Sequence, residues 1–489
     1  MSDLLETIAF HAKARPASPA IIAGDAILTY GTLWDGILSV QGRLRQYGLK
    51  AGDHVAISVG SAIGHLTLIC ALYRAGMSSI SIEPAQLEHA ADLAAIALLT
   101  SDAEAKTPLR TIVVEDDWFN GKDVDHSLPN AALACDENSL CRLILSSGTT
   151  GKPKMIGLSF AAVAERLISY SIRVSTPSWQ TLVCTLGLST NYGYSFAITA
   201  LWLGRTFCSA LDINARNLIL AHQAEVLVAS THQIAALVQF QEQQTMRLDS
   251  LRAVHIGGAV AYAPLQARIR MQVCSNVYCG YGSTEGGTVA YVPAELIFGM
   301  DRAVGITVPW VTMEVVDEHH NKQDYGKTGE MRLKALGQGY RYSKAANGGY
   351  DVDRSEWFYP GDMATHFRNG LLTITGRVNE MINRGGLKVA PETVEEQIKK
   401  HPNVADAAAV GVLDDIGIEQ IWVGIVSSDG SEADIKKMFD YCRAEMPLCI
   451  PDRIFQVPSI PRNQLGKVSR VPLTEQLKTL EKNLALTLR

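Results

Sequence analysis

The chain has 489 residues, enough for two or three well-buried cores at roughly 100–200 residues per domain. Its 47% hydrophobic, 19% charged and 7% aromatic content, with 40 Gly and 18 Pro spread along the chain, excludes collagen-like, low-complexity and disordered classes. Lys plus Arg total 44 against 50 for Asp plus Glu, a net charge of -6, so no broad cationic surface is offered to nucleic acid or anionic lipid, and the expected partners are small molecules or proteins.

The first residues, MSDLLETIAFHAKARP, carry two acids and no apolar core, and no uncharged apolar run reaches the ~18 residues of a membrane helix, so neither export nor a membrane span is expected. The first third then alternates amphipathic stretches with short apolar runs bounded by Gly, such as His54 to Val59 and Thr111 to Val114. The alternation continues through Cys141 to Ser146, a helical stretch near Ser159 to Ile172, then Glu225 to Ala229, Leu251 to Ile256 and Asn276 to Cys279. This pattern predicts an α/β fold: a large N-terminal domain of α/β layers. From about Val308 to Leu336 shorter strands with turns at Asp324-Tyr325-Gly326 and Thr328-Gly329 predict a β-rich subdomain. Past Gly376-Arg377 come a helix after Pro391, strands at Val404 to Val412 and Ile421 to Val426, and a helix at Glu432 to Glu445, a small α+β unit. The expected domains are therefore 1–377 and 378–489. Nine cysteines, an odd number with no C-x-x-C pair, argue against a disulfide framework or a structural zinc site and suit a reducing, cytoplasmic setting.

Four segments carry chemistry. Ser146, Ser147, Gly148, Thr149, Thr150, Gly151, Lys152, Pro153 and Lys154 follow an apolar strand and place hydroxyls, glycines and lysines in one turn, which suits phosphate. It is no Walker A loop, since two residues rather than four separate its glycines and Pro153 stands at the Ser/Thr position; a hydrophilic turn is the plain alternative. In Gly280-Tyr281-Gly282-Ser283-Thr284-Glu285, the carboxylate of Glu285 suits a hard cation such as Mg2+, Thr284 suits a phosphate and Tyr281 a flat ring, although a tight turn explains the run equally well. Nearby, Gly258 and Ala259 end an apolar strand where small residues admit a planar group, or simply close packing. Asp362, after Gly361, suits the two hydroxyls of a ribose, with Arg377 able to reinforce it or steer phosphate, although an Asp in a Pro-Gly turn is ordinarily just a turn residue. Near the C-terminus, Gly466 presents Lys467 on a loop, ordinarily a solvated charge.

In this order the segments resemble the acyl-adenylate-forming superfamily, which includes acyl-CoA synthetases, adenylation domains and beetle luciferases. Ser146 to Lys154 matches its phosphate loop, Tyr281 to Glu285 its Tyr-Gly-x-Thr-Glu motif, and Gly361-Asp362 its ribose motif. Gly385 to Val389 matches its Gly-Gly-x-Lys-Val loop and Pro461 to Lys467 its Pro-x4-Gly-Lys motif, and the likeness covers nearly the whole chain. The resemblance implies that a carboxylate attacks the α-phosphate of ATP to give acyl-AMP and pyrophosphate, after which a thiol displaces AMP. It also implies Mg2+ at Glu285, the α-phosphate at Thr284, ribose at Asp362 and Arg377, and Lys467 between carboxylate and α-phosphate. It further implies a mobile C-terminal domain turning about Asn379, where many relatives carry Asp or Lys, so that Gly385 and Gly386 border a thiol channel.

Relatives that activate α-amino acids place an Asp where this chain reads Leu186-Gly187-Leu188-Ser189-Thr190-Asn191-Tyr192, so the expected substrate is a neutral-tailed aliphatic or aromatic carboxylic acid. Asn191, Tyr192, His232 and Gly258 are the candidate pocket residues; His232 reads equally as a packed histidine. No carrier segment follows Lys467 before Arg489, so the expected acceptor is coenzyme A, with a separate carrier protein as the alternative.

Overall fold

Short apolar runs punctuated by glycine become strands in the computed structural model, which describes residues 4–121, 124–146, 154–174, 179–210, 215–261, 263–300, 302–344, 350–353, 356–384, 387–414, 419–447, 449–463 and 466–487. The chain divides into two units: Met1–Met300 with Gly305–Thr312 and Leu333–Phe358, and Asp301–Val304 with Met313–Arg332 and Tyr359–Arg489.

The first unit holds two largely parallel sheets. One runs Val277–Ser283, Ala253–Gly257, Val226–Ser230, Thr181–Cys184, Thr206–Ser209 and Pro19–Ala23 in spatial order, all parallel, with Ala26–Thr29 antiparallel beyond Pro19–Ala23 and Gly287–Pro293 antiparallel beyond Val277–Ser283, where it also pairs with Ile306 and Thr307. The other runs Arg110–Val113, Ala97–Thr100, His54–Ser58, Ser78–Ser81 and Leu140–Ser146 in parallel, followed by antiparallel Lys154–Ser159 and Tyr340–Lys344. Helix Ala62–Arg74, capped by Ser61, touches strands of both. Helix Asn191–Trp202 is apolar on nearly every face and is buried from Gly193 to Leu201, as an all-round hydrophobic helix must be.

In the second unit, Thr328–Glu330, Asp362–His366 and Leu371–Arg377 pair antiparallel, which bears out the expected β-rich stretch and extends it. Farther on, Val404–Leu413 pairs antiparallel with Glu419–Ser427, and Arg453–Gln456 adds in parallel. This sheet is buried on both faces. Ala407, Ala409 and Val423 meet Val394, Ile398 and Met438 of helices Pro391–Lys399 and Ile435–Glu445, while the alternate residues Ala408, Val410 and Trp422 meet Leu473 and Leu477 of helix Arg470–Thr487. All nine cysteines are unbridged. Among the described residues no helix is long and apolar enough to cross a membrane.

Candidate active site

The proposed phosphate loop joins two antiparallel strands, with Ser146 opposite Lys154. Ser147, Gly148, Thr149, Thr150 and Gly151 lie outside the described residues. Lys154 opens the return strand and is half-buried.

The second constellation is a hairpin rather than a loose glycine-rich loop. Val277–Ser283 pairs with Gly287–Pro293, and Thr284, Glu285 and Gly286 make the turn. Gly282 sits at the irregularity in this ladder, where a Cβ would come 2.1 Å from the Gly287 carbonyl oxygen. The turn is fixed from behind by a residue the sequence did not reveal as functional. Arg166, 2% exposed on helix Phe160–Arg173, donates from Nη2 to the carbonyl oxygens of Thr284 (2.9 Å) and Glu285 (2.8 Å) and from Nε to that of Gly337 (2.8 Å). Its Nη1 donates to Asn191 Oδ1 at 2.6 Å, so this candidate pocket residue serves the clamp.

Burial pushes the Glu285 carboxyl above the ordinary carboxylate range, against the opposing pull of Arg341, Arg166 and Lys154. Among the described residues no group of three or more His, Cys, Asp or Glu could hold a metal ion by itself. A single carboxylate facing three cations nevertheless suits Mg2+ that arrives with phosphates, because Mg2+ usually takes one or two carboxylates and completes its octahedron with phosphate oxygens and water.

Gly258 and Ala259 follow the strand Ala253–Gly257 and are exposed, Gly258 with φ +92°. The Ala259 carbonyl accepts from Thr231 Oγ1 at 2.9 Å. His232 is exposed on the first turn of helix Thr231–Gln241, so of its two readings the packed histidine is the one the structure does not support. The buried histidine is His255, 0% exposed, which the sequence reading passed over.

Tyr192 lies in an aromatic cluster with Tyr170, Phe196, His255, Tyr278 and Tyr291. His255 and Tyr278 are register partners, and Tyr291 stands opposite Gly280. Gly257 makes room for Tyr192, whose ring and hydroxyl would lie 3.3 Å from a Cβ there. Gly280 makes room for Arg173, whose Nη2 would lie 2.9 Å from a Cβ. Arg166 and Arg173 are seven residues apart on one helix and both buried, together with Val163 and Tyr170. That spacing of two cations on an apolar face was the available signal.

The remaining motifs belong to the second unit. Asp362, 5% exposed, and Arg377 are register partners on adjacent strands, and Arg377 Nε donates to Asp362 Oδ1 at 3.1 Å. Asn379 is exposed within the 3-10 turn Val378–Glu380. Gly385 and Gly386 lie outside the described residues, between the paired strands Ile382–Arg384 and Leu387–Val389. The Lys467 turn is pinned through its backbone. Lys467 N–H donates to Asn463 Oδ1 (3.0 Å), Asn463 N–H to the Lys467 carbonyl (2.9 Å), and Arg462 Nη1 to the Gly466 carbonyl (2.8 Å). Arg462 is itself anchored by Asp406 at 2.7 Å.

Comparison with known proteins gives the same reading as the motifs. The family model described as "AMP-binding enzyme" matches residues 8–340, and "AMP-binding enzyme C-terminal domain" matches residues 393–467. Pyochelin synthase PchD of Pseudomonas aeruginosa is 24% identical over 97% of this chain and 92% of its own length. A probable CoA ligase of Humulus lupulus is 24% identical over 96% of this chain and 95% of its own. Among solved structures, o-succinylbenzoate CoA synthetase of Bacillus subtilis with an acyl-adenylate intermediate superposes with a TM-score of 0.82 at 20% identity, covering 96% of this chain and 97% of that one, and so shares the fold.

Proposed function

The chain belongs to the AMP-binding enzyme family, the acyl-adenylate-forming ligases, and from that premise we propose that it activates a carboxylic acid other than an α-amino acid and passes the acyl group to coenzyme A. The observation that carries this reading is the Thr284-Glu285 turn, locked by Arg166, whose carboxylate experiences Lys154, Arg166 and Arg341 together. An excess of cations around one carboxylate suits a polyphosphate brought in with its counterion.

A carboxylate oxygen attacks the α-phosphorus of ATP and the bond to the β-phosphate oxygen breaks, releasing pyrophosphate. The acceptor thiolate then attacks the acyl carbon and AMP leaves. In this reading Thr284 holds the α-phosphate, Ser146 to Lys154 the distal phosphates, and Asp362 with Arg377 the ribose. When bound, Mg2+ neutralises phosphate charge, and Glu285 is the residue to hold it. Lys467 bridges carboxylate and α-phosphate as charge builds there. Residues 378–489 act as a mobile domain hinged at Asn379, and Gly385 and Gly386 line the thiol path. The name of the Humulus lupulus relative supports coenzyme A as acceptor.

The test separates the half-reactions. Lys467→Ala is expected to lower acid-dependent ATP–pyrophosphate exchange by ~10²–10³-fold while largely sparing thiolation of supplied acyl-AMP. Equal loss in both steps would remove Lys467 from the adenylation step. Rapid acylation of a phosphopantetheinylated carrier protein with coenzyme A inert would replace the acceptor.

A further inference from the structure

Among the described residues, Arg173 is a buried cation with no carboxylate beside it. It is 4% exposed, donating from Nη1 to Thr288 Oγ1 (2.8 Å) and from Nη2 to the Tyr192 hydroxyl (2.9 Å). The rings of Tyr291, Tyr170, Phe196 and Tyr192 enclose its guanidinium carbon at 4.6, 5.1, 5.2 and 5.3 Å from their centroids. Among the described residues the charged or titratable groups acting on it are three tyrosines and His255, and none is a carboxylate. Among the described residues, Nε of Arg173 and Nε2 of His255 are both buried without a hydrogen-bond partner. Burial, and next Arg173 itself, push the His255 imidazole down to about 3, so it stands neutral and adds no second positive charge.

Burying a guanidinium is costly unless it is paired, and ring faces recover only part of that cost. The helix offers its own control. Arg166 spends its fork on four oxygen acceptors of the protein, whereas Arg173 has two hydroxyls. Its Gly280 and Tyr192 neighbours are only half-buried, so theirs is the side from which an incoming group would approach. Seven residues of α-helix separate Arg166, which holds the adenylate turn, from Arg173, about 10 Å along the axis.

Resting on the adenylation reading and deepening it, we propose that Arg173 determines acid specificity, and that the substrate is a carboxylic acid carrying a second, distal carboxylate that pairs with the guanidinium. The reacting carboxylate lies toward Thr284 and the second one toward Gly280. This departs from the neutral tail expected from the sequence.

Matched acids read the proposal directly: hexanoate against adipate, butyrate against succinate, and benzoate against terephthalate, by ATP–pyrophosphate exchange. The wild type is expected to favour at least one dicarboxylate over its monocarboxylate partner by roughly 10- to 100-fold in kcat/KM, mostly through KM. Arg173→Met should abolish or invert that ratio, and Arg173→Lys should keep part of it. Monocarboxylate preference in the wild type, or a ratio unmoved by Arg173→Met, would overturn the proposal while leaving adenylation intact. A thermal-shift arm without ATP separates the two readings. If no acid supports exchange, the adenylation reading falls, and protection by a dicarboxylate that Arg173→Met removes still supports the Arg173 site; absence of such protection overturns it. Should Arg173→Met fail to fold, the wild-type ratios and Arg173→Lys decide alone.

Discussion

Arg470, with a side chain 16% exposed, and Arg173, 4% exposed, are guanidiniums largely withdrawn from water, one in each unit, and the chain neutralises them in opposite ways. Arg470 reaches Glu380 (2.6 Å), Glu392 (2.8 Å) and Glu395 (2.6 Å), and donates to the Ala409 carbonyl (2.7 Å). Burial would lower its pKa, but Glu395, Glu392 and Glu380 more than compensate and hold the proton firmly. Arg173 has aromatic faces and hydroxyls instead. An over-neutralised cation ties strand, turn and helix of its own unit together, because its partners come from the turn Val378–Glu380, the helix Pro391–Lys399 and the Ala409 carbonyl of the strand Val404–Leu413. An under-neutralised one contributes little to cohesion and leaves attraction available to a ligand.

The largest effect on stability should come from breaking the balanced site. Arg470→Met strands three carboxylates in one place and is expected to cost about 3–5 kcal/mol, read as a lower urea midpoint. A loss under about 1 kcal/mol would show that the triad relaxes into water and that the contrast is superficial. A smaller effect is expected at Asp406, which binds Arg462 (2.7 Å) and Lys399 (3.1 Å). Burial alone would raise its carboxyl, but Lys399 and Arg462 hold it below the usual carboxylate range. A folded-state pKa below the unfolded one gives stability that is present above about pH 4 and lost as pH falls through the folded value. Asp406→Asn should therefore cost about 1 kcal/mol at neutral pH, after solvent screening, and progressively less in acid. Parallel stability curves of parent and variant from pH 7 downward would refute the assignment. Smallest of all, Arg173→Met without any acid present should stay within about 1 kcal/mol of the parent, since an unpaired buried ion is replaced by an apolar chain of similar length. A cost matching that of Arg470→Met would erase the comparison.

Much of this was legible along the chain. The run His54 to Val59 becomes His54–Ser58, and Val404 to Val412 becomes Val404–Leu413, because apolar periodicity is a local signal. The order of strands was not legible: Thr181–Cys184 lies between Val226–Ser230 and Thr206–Ser209, a choice made by long-range pairing. The missed strand Arg453–Gln456 is four residues long and carries an arginine and a glutamine, so it has no periodicity to read. The motifs proposed to bind nucleotide stood out because a turn that admits phosphate needs small residues and donors within a few positions. Arg173, His255 and Tyr291 did not, since each sits in an ordinary helix or strand, and only the ladder placing His255 beside Tyr278 and Gly280 opposite Tyr291 gathers them.

Placing Arg166 and Arg173 on one helical face has a consequence for how the proposed acid site would change over evolutionary time. Inserting or deleting a residue between them would rotate one arginine about 100° away from the other, so the interval cannot be lengthened by small steps. A descendant enzyme that takes a longer or shorter acid must then keep the helix as a fixed gauge and remodel the facing wall. Tyr278 and Tyr291, on strands that tolerate exchange of one side chain at a time, are where such drift would be recorded.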